Sequence, residues 1–295
     1  MPENGTRSTY SQAPIKIDLL DAKKNRIASG SAFFYDFEGE NFLVTNWHNV
    51  SGRAFDTRRI LHKPSQEPIF MVAYLSRWFG DKGHYTANYG RLLSLYDKNG
   101  NPTWYVHKTH KSNYDVVVFP FPRDETIPEF MHYPVNKISK FRKPILPGNT
   151  VFIIGYPSGI SIAHGLPIWK SGYLASEPFY NIKNQGKEYP AVFLDSLTRA
   201  GLSGAPVFSQ YKGTWSLNDP YEKLDPESSE FWERSDILLN ETRYEFLGIY
   251  SGRLESNAQD AALGLCWKES LIREICKEGI KDDNPHFLPK EPKKA

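Results

Sequence analysis

Long apolar runs, a cysteine framework and an excess of one charge are all missing from this 295-residue chain. No window approaches the ~20 consecutive apolar residues of a membrane span, and the polar opening MPENGTRSTYSQAP has no apolar core of the length a secretion signal needs. Cysteine occurs only at Cys266 and Cys276, in no metal-like cluster. A disulfide framework is therefore not expected, no metal site is indicated, and a reducing, cytoplasmic setting is expected. Lysine plus arginine total 36 against 34 aspartate plus glutamate, a formal charge of +2. Apart from the closing PKKA no basic run stands out, so neither nucleic acid nor a membrane is expected as a partner. Helical periodicity is equally scarce. KESLIREICKEGI, near the C-terminus, sets Leu271, Ile272, Ile275 and Ile280 on one face of a helix expected over about 268–279.

What the chain does contain is short apolar segments rich in Val, Ile, Phe and Tyr and bordered by turn residues. PIKIDLL, GSAFFYDF, NFLVTN, IFMVAYL, DVVVFPF, TVFIIGYP, KSGYLAS, AVFLDS, APVFSQ and YEFLGIYSG each read as a strand. An all-β antiparallel architecture with one terminal helix is expected, long enough to bury a substantial core. Five prolines between Phe121 and Thr150 mark residues 122–148 as a connection between two β halves, about 15–121 and about 149–268. The acidic stretch 211–242 reads as a surface excursion, and 1–14 and 281–295 as flexible tails.

RAGLSGAPVF, from Arg199 to Phe208, sets Ser203 between Gly201 and Gly204 and leads through Pro206 into an apolar strand. Acyl transfer needs a nucleophile whose neighbours turn backbone N–H groups toward the oxygen that becomes negative, and bulky flanking side chains would block both the turn and the substrate. On that reading the amides of Gly201 and Ser203 form an oxyanion hole. A serine alone is a weak nucleophile at neutral pH, so a base and a group that orients it must come from elsewhere. NFLVTNWHNVSG supplies His48 directly after an apolar strand, and NYDVVVFPF supplies Asp115 at the mouth of another. Each feature alone has an ordinary explanation as a turn serine, a surface histidine or a strand-capping aspartate. His62, His84, His107, His110, His132, His164 and His286 belong to no such motif and are read as structural, and Cys266 as a packed small residue.

Taken in order, GSAFFYDFEGENFLVTNWHNV resembles the histidine region of trypsin-like serine peptidases, in the style of the HtrA-like branch. YDVVVFPF is similar to their aspartate strand, VFIIGYPSG to the segment opening their second barrel, and LDSLTRAGLSGAPVF to their nucleophile loop. FLGIYSGR resembles the strand along which substrate pairs, and GLCWKESLIREI the last strand and helix. The resemblance spans roughly residues 15–278. It implies a chymotrypsin-like double β-barrel with a C-terminal α-helix. Catalysis would lie between the barrels, with His48 as general base, Asp115 orienting it, Ser203 as nucleophile, and no metal or organic cofactor. The order His, Asp, Ser differs from that of α/β-hydrolases, and Ala205 stands where their second glycine would be.

The same resemblance assigns Leu197, Thr198, Ser251, Gly252 and Arg253 to substrate binding, with Gly264 to Cys266 as the far wall of the pocket for the side chain preceding the cut. No acid falls at the base of that pocket, so a small or apolar residue is expected there. Leu202 stands where digestive members carry the aspartate that receives a newly cut amino terminus. Activation by trimming is therefore not expected, and control by a regulatory protein partner or ligand is. Targeting by an appended PDZ domain, usual in the HtrA-like branch, is not expected either. The expected substrate is a protein or peptide. Two alternatives stay open: a binding or scaffolding protein that keeps the fold without efficient turnover, and an esterase on the same triad.

Overall fold

A computed structural model of the protein describes residues 8–62, 66–79, 84–122, 133–138, 145–162, 165–184, 186–196, 201–218, 224–252 and 263–287. The first half contributes β1 (Pro14–Leu20), β2 (Arg26–Phe37), β3 (Glu40–Thr45), β4 (Phe70–Phe79), β5 (His84–Ser94), β6 (Tyr105–Val106) and β7 (Val117–Pro120). The second contributes β8 (Thr150–Gly155), β9 (Ile168–Leu174), a small hairpin of β10 (Ile182–Asn184) and β11 (Lys187–Tyr189), then β12 (Ala191–Asp195), β13 (Pro206–Ser216), β14 (Ile237–Gly252) and β15 (Leu263–Lys268). Among the described residues the α-helices are short: α1 (Trp47–Ser51), α2 (Val135–Ile138), α3 (Ser229–Glu233) and α4 (Glu269–Glu278); a further strand, β16 (Ile280–Lys281), follows α4. The first half is an antiparallel sheet in the order β16-β6-β7-β3-β2-β1-β4-β5, and in the second β12-β15-β14-β13-β8-β9 close into a barrel. This is the chymotrypsin-like all-β arrangement, with α4 packed by its buried Leu271, Ile272 and Ile275.

Register, more than any single contact, gathers the site. β3 pairs antiparallel with β7, Thr45 opposite Val117, so the chain leaving β3 toward His48 and the chain entering β7 from Asp115 emerge at one end of the sheet. In the barrel, Pro206 pairs with Ile249, which brings the turn before β13 beside Tyr250 to Gly252 at the end of β14. The halves are joined by a shared apolar core. Phe33 of β2 meets Phe246 of β14 edge to face at 5.5 Å between ring centroids, and Phe246 lies 5.7 Å from Phe208 of β13. Ser31 of β2 adds polar joints: its N–H donates to the Ser203 carbonyl at 2.9 Å and its Oγ to the Gly201 carbonyl at 2.9 Å.

Three segments differ from their sequence-based reading. Within the stretch expected as an N-terminal tail, Thr9–Gln12 form a 3-10 turn against the barrel. Tyr10 packs on Phe208 and Tyr244, and Trp169 Nε1 donates to Ser11 Oγ at 2.9 Å. At the other end Asp282, expected in a loose tail, is 8% exposed and accepts from two indoles, Trp47 Nε1 at 2.7 Å and Trp104 Nε1 at 3.0 Å. A polar composition hid both anchors, because each rests on one or two residues rather than on an apolar pattern. The acidic excursion is also narrower than 211–242: β13 and β14 continue pairing as far as Ser216 opposite Ile237. The acidic composition of the whole stretch had outweighed Tyr211, Trp215, Ile237, Leu238 and Leu239, the strand-forming residues at those ends. In the 122–148 connection, α2 is tied to β2 by Asn136, whose Nδ2 donates to the Asp36 carbonyl and whose Oδ1 accepts from the Asp36 N–H.

Two outcomes follow from these joints. Burial holds the Asp282 carboxyl above the usual carboxylate range, opposed by the two indole N–H groups. Asp282→Ala leaves both donors without an acceptor at about 1–3 kcal/mol each; in denaturant unfolding it should be much less stable than Asp282→Asn, which keeps an acceptor. Equal stability of the two variants would contradict this. Gly204 sits at φ +87°, where an added Cβ would stand 1.9 Å from the Ser31 carbonyl oxygen. The backbone strain alone is on the order of 1–3 kcal/mol, so calorimetry should find Gly204→Ala clearly destabilised, and a wild-type melting point would refute the close approach.

Candidate active site

The sequence TNWHN builds the histidine end of the site. After β3, Asn46 turns the chain in extended conformation into the single turn of α1, which closes at Gly52. Asn46 Nδ2 donates to the Asp115 carbonyl at 2.7 Å, fixing that turn to the mouth of β7. His48 then binds the Asp115 carboxyl twice. Its backbone N–H donates to Oδ1 at 2.8 Å and its ring Nδ1 lies 2.6 Å from Oδ2. Ser251 Oγ donates to the same Oδ2 from β14. Asp115 has no exposed surface, whereas the His48 side chain is 16% exposed. A carboxylate in contact with Nδ1 accepts, so Nδ1 carries the proton and the Nε2 lone pair is left for a proton acceptor's task.

The Ser203 end is a tight turn. Ala205 N–H donates to the Leu202 carbonyl at 2.9 Å, Gly204 N–H to the Tyr250 carbonyl and Tyr250 N–H to the Ala205 carbonyl, both at 2.9 Å. In a trans peptide the C=O and N–H point opposite ways, so tying the Leu202 carbonyl into the turn aims the Ser203 N–H out of it. Among the described residues neither the Gly201 nor the Ser203 amide donates to a protein acceptor. The Ser203 carbonyl is held by the Ser31 N–H and, at 3.3 Å, by Asn49 Nδ2, which also donates to Thr45 Oγ1 at 3.0 Å. Gly252 lies alongside, since a Cβ built on it would stand 4.0 Å from Ser203 Oγ.

The fold thus gathers His48, Asp115, Ser203, Ser251 and Gly252 at one seam. Among the described residues no hydrogen bond joins Ser203 Oγ to His48 Nε2, a contact that in such sites often tightens when substrate arrives. Leu197, Thr198 and Arg253 lie outside the described residues. Ser251, expected to bind substrate, also turns its hydroxyl onto Asp115. Sequence reasoning missed Ser31, Thr45, Asn46 and Asn49. Their only signal was a run of small polar residues inside otherwise apolar strands and beside the histidine.

Near this cluster, a cavity of about 390 Å³ is lined by Arg26, Ile27, Ala28, Ser29, Ser158 and Gly201. A larger one, about 610 Å³, involves His107, His110, Tyr114, Lys187, Glu188 and Glu274 and none of the clustered residues. His107 has a structural task there: Nδ1 accepts the N–H groups of Thr109 and His110, which leaves Nε2 for Glu274 at 3.4 Å. His62 is held below the usual imidazole range by burial and then by the neighbouring His48. Both cysteines are free, and burial pushes their thiols up, Cys276 to about 12, so neither resembles an activated nucleophile. Among the described residues no His, Cys, Asp and Glu cluster is placed to hold a metal, and no helix is long and apolar enough to cross a membrane.

Among curated proteins no sequence matches. Solved structures similar in shape include the active form of the Rv3671c protease of M. tuberculosis, at 13% identity and a TM-score of 0.49 over 97% of each chain. The MamO protease domain of Magnetospirillum magneticum, in its apo form, shares 12% identity at a TM-score of 0.43, over 90% of this chain and 95% of that one. The thermostable serine protease AL20 from an extremophilic microorganism shares 10% at 0.45, over 91% and 97%. Likeness at this level says nothing about chemistry. The family profile of the trypsin-like peptidase domain, by contrast, matches residues 30–215, more than half of the chain and the span that contains His48, Asp115 and Ser203. By that match the chain belongs to the trypsin-like serine peptidases.

Proposed function

We propose that this peptidase hydrolyses peptide bonds through an acyl-enzyme on a His48–Asp115–Ser203 triad. The observation that carries the reading is the Asp115 carboxyl, fully buried and bound at once by the His48 N–H, the His48 ring and Ser251. An imidazole so held has one tautomer and one orientation. His48 takes the proton of Ser203 as Oγ attacks the scissile carbonyl, and the Gly201 and Ser203 amides receive the oxyanion. The leaving amine takes its proton from His48, which then activates water. A peptide substrate fits better than a simple ester, because the end of β14 offers backbone to an extended chain. Leu202 supports activity without amino-terminal trimming. It is 1% exposed, in an apolar cluster with Val207 and Cys266, where an incoming ammonium would have no partner. Restraint of a cytoplasmic enzyme then falls to a regulatory protein or ligand.

A second reading, a peptidase-fold binding protein with little turnover, draws on the absence of a Ser203–His48 hydrogen bond among the described residues. A fluorophosphonate probe separates the two: it should label wild type and not Ser203→Ala, whereas an unlabelled wild type favours the binding protein. On a cleavable peptide, Asp115→Asn should lower kcat by about 10⁴ while KM changes little, as expected for loss of the correct imidazole tautomer. A loss confined to KM would reject that role for Asp115.

A further inference from the structure

We infer that Tyr250 fills the space beside Ser203 into which the side chain preceding the cut would enter, so that the enzyme cleaves after glycine, alanine or serine. This deepens the peptidase reading and rests on it. Tyr250 is bound on both sides of its peptide to the nucleophile turn, through the Gly204 N–H and the Ala205 carbonyl. Its neighbour Ser251 points at Asp115. Successive side chains on a strand face opposite ways, so the Tyr250 ring points inward, beneath the turn that carries Ser203. It is 1% exposed and packs in one cluster with Leu202, Ala205, Val192, Leu194 and Cys266.

The far end of the ring reaches β15. A Cβ on Gly264 would stand 2.7 Å from Tyr250 Cε2 and 3.1 Å from its Oη, so the approach exists only because residue 264 has no side chain. Gly264 pairs with Leu194 of β12, which makes the ring a bridge from the nucleophile turn to the wall formed by β15 and β12. A substrate laid along Ser251 and Gly252, with its carbonyl carbon at Ser203 Oγ and its oxygen at the Gly201 and Ser203 amides, directs its preceding side chain between that turn and β14. There it meets the ring. A methyl or hydroxymethyl group needs little depth, while an isobutyl or benzyl group needs the volume the ring occupies. The competing view is that Tyr250 is simply core. A purely structural residue would lower the rate on all peptides together, whereas a residue that limits depth changes their order.

The test is a peptide series differing only at the residue before the cut, cleaved by wild type, Tyr250→Val and Tyr250→Phe after titration of active sites with the fluorophosphonate probe. Wild type should favour Ala over Leu and Phe in kcat/KM by about 10-fold or more, the scale on which a hydrophobic pocket discriminates. Tyr250→Val should shift the Leu-to-Ala ratio upward by about 10-fold or more, and Tyr250→Phe, which keeps the ring, should restore the wild-type order. Wild type cleaving equally well after Leu or Phe overturns the inference even if Tyr250→Val does not fold. So does a Tyr250→Val that loses the same factor on every peptide. In both cases probe labelling leaves the peptidase reading standing. An unlabelled wild type brings down that reading and this one together.

Discussion

A carboxyl group with no exposed surface has to be paid for by hydrogen bonds, and at Asp115 those bonds come from both halves of the molecule. His48 supplies two, through its amide and its ring, and Ser251 a third across the seam. An unpartnered buried acid would cost several kcal/mol. The arrangement of β7, α1 and the end of β14 therefore forms as a unit. If the seam opens, the acid loses Ser251; if α1 unwinds, it loses both His48 contacts. Positioning of the imidazole is a by-product of satisfying the acid.

The Ser203 turn is fixed from the opposite direction. Ser31 uses its amide and hydroxyl to hold the carbonyls of Ser203 and Gly201, and its own carbonyl accepts from Thr45 Oγ1 at 2.8 Å, one strand over. Asn49, next to His48, reaches the Ser203 carbonyl as well. Neither half could assemble the site by itself: β2 and α1 define where the turn sits, while β13 and β14 define its shape. Remote anchoring extends this. Asp282 receives the indole of Trp47, the residue before His48, so the last strand and the segment after it brace the histidine turn.

Local motifs made the proposed triad legible, since the histidine after NFLVTNW, DVVVF and GLSGAP each carry a reason in their own neighbourhood. Strands of four to eight residues with Val, Ile and Phe were equally readable, as was α4 from its apolar spacing. Residues acting through distant partners were not. Nothing around Ser31, Asn49 or Asp282 in the sequence announces a bond 154 or more residues away, as in Asn49 to Ser203 or Trp47 to Asp282. The β13–β14 ribbon misled for a different reason: the acidic composition around it outweighed the Trp, Ile and Leu residues that its strand ends carry. Tyr250 lies within GIYSG, but the direction of its ring follows only from Ser251 facing the acid.

Proton position at His48 tests the central claim most directly. In a ¹⁵N-edited spectrum the His48 Nδ1–H should give a strongly low-field signal, retained in Ser203→Ala and lost in Asp115→Asn. A ring that carries its proton on Nε2 in wild type, or an Nδ1–H signal unchanged by Asp115→Asn, would contradict the account.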